Sequence, residues 1–182
     1  MQLKRRDIDG QGIVRSYIGE DLMSEKQDLE LAACMYFIDS YHTIHKANLE
    51  LVQHRDKPDC VLRDAVTGEQ VGVEVTHLYY DGKEAKMVLG RLSKELHGVM
   101  TISQLIEKLN ADMAEKVNRA AKYDFEGKLI LLIRVASPIF DKQDFEMYED
   151  EIAVPKLNTF AEIWLLFRSQ ASGTYSDLMQ LQ

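Results

Sequence analysis

Cysteine is scarce: only Cys34 and Cys60 occur in 182 residues, too few for a disulfide framework or a four-thiolate zinc site. Both stand in apolar surroundings, and a reducing, cytoplasmic setting is the expectation. Apolar runs long enough to span a bilayer are missing. The basic start Lys4-Arg5-Arg6 is not followed by the apolar stretch that a secretory signal requires, so the expectation is a protein neither exported nor membrane-embedded. Positive charge is also in short supply, with 22 Lys and Arg against 30 Asp and Glu and a net charge of -8. That argues against a surface coated by nucleic acid, which rests on phosphate neutralisation, but leaves room for a local basic groove. Internal repeats and low-complexity segments are absent. What is present is a 46% hydrophobic composition, ordinary for a globular chain of one domain with a full core.

Residues 1–23 mix charges with Gly10, Gly12 and Gly19 and read as an N-terminal arm. Ser24-Glu25-Lys26-Gln27 has the pattern of a capping box, and Leu29, Ala32, Ala33, Tyr36, Phe37, Tyr41 and Ile44 then recur at helical spacing. Followed back, that stripe places Glu25 on the buried face and Glu30 to its side. Leu49 to His54 reads as a first strand. Lys57 to Asp64 and Val71 to Thr76 are β-rich runs around a Gly68 turn, which predicts a hairpin. Tyr79 to Gly90 reads as a loop carrying Lys83 and Lys86, with a helical piece from Arg91 to Leu96. Thr101-Ile102-Ser103-Gln104 repeats the capping pattern before a helix of about six turns whose apolar residues run from Ile102 to Ala121. Lys128 to Val135 is apolar almost without alternation, as a strand buried on both faces reads. An acidic helix is expected over 140–152 and a strand over 160–167, with residues 171–182 a polar, fraying tail beyond a domain of residues 24–170. This order predicts an α/β three-layer sandwich around a central mixed sheet.

The chemistry concentrates in the hairpin. Strand alternation puts Val71, Val73 and Val75 on one face and Gly72, Glu74 and Thr76 on the other. A carboxylate in so apolar a strand is costly unless something pairs with it. Closure around Gly68 brings Asp59 beside Glu74, and two adjoining acids either share a proton or hold a cation. Each residue also has a plainer reading. Asp59 fits a strand start, Glu74 a cross-strand ion pair with Arg63, and Glu25 an acid favoured in a helix's first turn. His42 and His45 have a metal-site spacing without a third ligand at a fixed offset. Lys108, Lys116, Arg119 and Lys122 on the long helix read as a solvated face or as phosphate-facing cations.

An acid-bearing helix, a hairpin with Pro58-Asp59 and Glu74-Val75-Thr76, a long helix and a buried strand together resemble the PD-(D/E)XK nuclease superfamily over residues 24 to 136. The resemblance implies a restriction-endonuclease-like fold and metal-dependent phosphodiester hydrolysis of DNA or RNA. It further implies Mg²⁺, or Mn²⁺, held by Asp59, Glu74 and the carbonyl of Val75, with Glu25, or else Glu30, orienting a water of the metal shell. Thr76 departs from the pattern, which has lysine there; Thr76 can bind water but carries no charge, so Lys86, Lys83 or Lys108 is expected to supply the cation. His77 faces away from Glu74 by alternation. A homodimer or a partner protein is the assembly such an enzyme implies for cutting two strands. The alternative is a catalytically inactive nuclease-like protein serving in binding, immunity or as an adaptor, which the net charge and Thr76 favour.

Overall fold

The computed structural model describes residues 25–79, 101–156 and 158–182. The described residues form a six-stranded mixed sheet in the order β1 (Leu49–His54), β2 (Cys60–Asp64), β3 (Gln70–Leu78), β4 (Lys128–Val135), β5 (Glu162–Arg168) and β6 (Tyr175–Gln180). The first three strands form an antiparallel meander, β3, β4 and β5 run parallel, and β6 returns antiparallel to β5. Among the described residues three helices accompany them: α1 (Glu25–His45), α2 (Ile102–Ala120) and the short α3 (Lys142–Met147), which a 3-10 turn at Glu149–Glu151 follows.

The sheet has two apolar faces. Leu129, Leu131 and Ile133 of β4 pack with Leu105, Leu109, Met113 and Val117 of α2 and with Phe145 of α3. Ile130 and Leu132 point the other way, onto Ala33, Cys34, Phe37 and Tyr41 of α1. Helix, sheet and helix thus form three layers, the coarse architecture expected of the sequence. The unbroken burial of Leu129 to Ile133 explains why β4 shows no alternation. On the α1 side, Trp164 is 3% exposed and donates from its indole nitrogen to Glu162 Oε2 at 2.7 Å. Glu162 also accepts from Tyr41 at 3.3 Å and pairs with Lys128, which ties α1, β4 and β5 together. Among the described residues no helix is long and apolar enough to cross a membrane.

Three expectations need correction. The polar end does not fray: Tyr175 to Gln180 pairs with β5 and buries Leu178 and Met179. The acidic stretch over 140–152 is helical only from Lys142 to Met147 and then tightens to a 3-10 turn. The buried face of α1 is also rotated from the stripe that spacing suggested, since Glu30, Cys34 and Ile38 are buried while Ile44 is exposed. The N-terminal arm, Ser24, Lys83, Lys86 and the helical piece at 91–96 lie outside the described residues.

Candidate functional site

The hairpin is held by its turn. Asp64 Oδ1 accepts from the Val66 and Thr67 amides at 2.7 and 3.2 Å, and Gly68 takes the left-handed φ of 76° that closes the loop. Register then pairs Cys60 with Val73 and Leu62 with Val71, so Asp59, one step before β2, lies level with Glu74. Gly72 makes the approach possible: a Cβ there would sit 2.7 Å from both Pro58 Cγ and Leu129 Cδ2. Pro58 therefore packs directly on β3 and carries Asp59 with it.

Asp59 is 5% and Glu74 4% exposed, and both belong to the sheet face that α2 covers. Asp59 Oδ2 accepts the Val75 amide proton at 2.7 Å. Burial and the neighbouring Glu74 charge push the Asp59 pKa up to about 7, against the pull of the Val75 hydrogen bond. Glu74 Oε1 receives the Lys116 ammonium at 2.7 Å, and the same Nζ donates to the Val75 carbonyl at 3.2 Å. Glu74 Oε2 is buried and makes no hydrogen bond. The Tyr123 hydroxyl faces Glu74, and burial followed by that carboxylate raises its pKa. Thr76 follows half-buried on the same face, paired in register with Ile133.

Of the two helix acids, Glu30 is the buried one. Glu25 is exposed, whereas Glu30 is 5% exposed, close enough to Asp59 to add to its raised pKa, and bound by Lys26 at 2.9 Å. The rotation of α1 accounts for the exchange. Of the expected cations, Lys83 and Lys86 lie outside the described residues. Lys108 bonds to Asp112 of its own helix at 2.8 and 2.9 Å, and it is Lys116 that reaches Glu74. Arg63 pairs with Glu50 at 3.4 Å, so the plain cross-strand pair with Glu74 is not made.

No protein-family model, curated protein or solved structure matches the chain. The site therefore stands on its geometry, and that geometry separates the acids from the other titratable groups. His77 lies on the opposite face, where Nδ1 is 3.5 Å from Arg134 Nη1 and Nε2 is buried without a hydrogen bond. Burial and then the Arg134 charge lower its pKa to about 3. His42 Nε2 accepts the Leu49 amide at 2.7 Å, and His45 stacks 4.4 Å from Tyr41, which gives both histidines structural work. Cys34 and Cys60 are fully buried side by side, and their contact together with burial drives the Cys60 pKa up, leaving an unreactive thiol. Among the described residues no three His, Cys, Asp or Glu side chains converge as a metal-binding group.

Lys116 and Tyr123 were missed in sequence as members of the acid pair's surroundings. A signal for Lys116 existed: it falls on the stripe Leu109, Met113, Lys116, Ala120, three of whose four members are buried apolar residues. A lysine in that stripe needs a buried acid opposite. Tyr123, beyond the helix end, carried no comparable signal.

Proposed function

We propose that the chain is a metal-dependent phosphodiesterase acting on DNA or RNA, with a restriction-endonuclease-like site in which Lys116 replaces the lysine absent at Thr76. The observation that supports this reading is the Lys116 ammonium 2.7 Å from Glu74 Oε1, a cation from α2 beside the buried acids.

The residues fit a divalent cation. Burial, and after it the neighbouring Glu74 charge, raises Asp59 to about 7, and Glu74 Oε2 is buried beyond the reach of the Lys116 bond to Oε1. Asp59, Glu74 and the Val75 carbonyl would hold Mg²⁺ or Mn²⁺, since hard oxygens suit hard cations. A cation so held polarises a phosphate oxygen and lowers the pKa of bound water. The chain's own groups have distinct tasks. The Val75 amide fixes the Asp59 carboxylate, and Thr76 offers a hydroxyl to hydrogen-bond water. The Lys116 ammonium offsets charge at the phosphate.

A second reading, a catalytically inactive nuclease-like binding protein, is favoured by one specific contact: Lys116 already neutralises Glu74 on the strand where a metal would bind. Calorimetric titration of Mg²⁺ and Mn²⁺ into the wild type and into an Asp59→Ala, Glu74→Ala variant separates the two. Under the nuclease reading only the wild type binds metal, and it cleaves single- or double-stranded DNA or RNA that the variant leaves intact. Absence of metal binding by the wild type refutes the metal mechanism, and binding without any cleavage favours the inactive protein.

A further inference from the structure

Lys116 makes two contacts with atoms of the candidate metal site, and both are oxygens assigned to the cation. Its Nζ lies 2.7 Å from Glu74 Oε1 and 3.2 Å from the Val75 carbonyl. We propose that Lys116 is a built-in competitor for the divalent cation, a latch that must leave Glu74 and the Val75 carbonyl before metal can bind there. This inference rests on the metal-dependent reading above.

Three features make the contact a latch rather than a fixed pair. Lysine has a compact charge on a flexible four-carbon stem, so Nζ can withdraw without moving α2. The Lys116 side chain is 18% exposed, which gives the ammonium a path outward. The pairing is also one-sided, because the ammonium bonds Glu74 Oε1 alone and leaves Oε2 buried, with only the neutral Tyr123 hydroxyl facing that carboxylate. A divalent cation supplies twice the charge to the same oxygens. The displaced ammonium then needs an anion, and the phosphate of a nucleic-acid backbone is such a partner. Metal and phosphate each favour the released lysine, so each tightens the binding of the other. The metal centre is in this way loaded chiefly when substrate is present.

The test uses calorimetric titration of Mn²⁺ into the full chain in three forms: wild type, Lys116→Met and Lys122→Met. Lys122 is exposed and takes no part in the acid pair, so its replacement measures the effect of removing one positive charge from the same helix end. A charge-assisted hydrogen bond lost to the competitor predicts Mn²⁺ binding at least about tenfold tighter in Lys116→Met than in wild type. Lys122→Met is expected to change affinity by less than about threefold, as solvent and salt screen an exposed charge. Equal or weaker binding by Lys116→Met, or an equal gain in Lys122→Met, overturns the latch while leaving the metal site intact. No Mn²⁺ binding by any of the three ends both the latch and the metal-dependent reading. Should Lys116→Met fail to fold, the side-chain ammonium resonance of Lys116 in the wild type decides. Saturating Mg²⁺ is expected to shift or broaden it away from its hydrogen-bonded position, and an unmoved resonance refutes the proposal.

Discussion

Replacing Asp59 by Asn exposes an opposition between two buried groups. The amide oxygen of Asn can still accept the Val75 proton, so the substitution removes the titration and little else. In the wild type the Asp59 pKa rises from 3.8 to about 7, so between those values the folded chain keeps a proton that the unfolded chain has released. Stability contributed by Asp59 is therefore lost as pH rises through that window. About 3 units at roughly 1.4 kcal/mol each amount to about 4 kcal/mol. His77 works in the other direction. Its pKa falls from 6.5 to about 3, so the unfolded chain takes up a proton that the folded chain refuses, and stability increases with pH across that range by a similar amount. The two slopes nearly cancel in the wild type. Asp59→Asn leaves the His77 slope alone, so the variant gains on the wild type by about 4 kcal/mol between about pH 4 and about pH 7.5. Urea unfolding followed by circular dichroism, in chelator to keep the site metal-free, measures the difference. A gap between variant and wild type that stays constant with pH refutes this assignment of the buried charge.

The remaining predictions concern how the site is held. Gly72→Ala forces a Cβ against Pro58 and Leu129 and is expected to cost about 1–3 kcal/mol in urea unfolding. Because Pro58 carries Asp59, the same variant is expected to lose Mn²⁺ affinity in calorimetry, whereas a packing change remote from the hairpin would not. Phe37→Ala empties a fully buried position under α1 and is expected to lower stability by about 3–5 kcal/mol in denaturant unfolding. Thr101→Ala removes the acceptor for the Gln104 amide and breaks the capping box of α2, a loss of about 1 kcal/mol read as a lower midpoint of thermal unfolding.

Much of the framework was legible because it follows short-range rules. The capping box at Thr101 and Gln104 forms as its residue types require, and the period of Leu105, Leu109, Met113 and Val117 gives the buried face of α2. Gly68 and strand alternation bring Asp59 level with Glu74. What could not be read depends on distant partners. The rotation of α1, which buries Glu30 in place of Glu25, is decided by how Cys34, Phe37 and Ile38 fit the sheet. The choice of Lys116 over Lys108 turns on Asp112, which satisfies Lys108 within its own helix and leaves Lys116 to face Glu74. β6 was obscured because its buried residues, Leu178 and Met179, are adjacent rather than alternate.

Trp164 is the one tryptophan in the sequence, and its placement makes the protein its own optical probe. The ring lies on the α1 side of the sheet, edge-on to Tyr41 with centroids 5.8 Å apart, while Asp59 and Glu74 face α2 on the other side. Ultraviolet emission therefore registers whether α1 remains docked, through a sheet that separates the fluorophore from any ligand of the acid pair. A cation or an oligonucleotide bound near Lys116 leaves that light unchanged so long as the sheet does not move. Loss of α1 packing brings water to the indole and shifts the spectrum to the red.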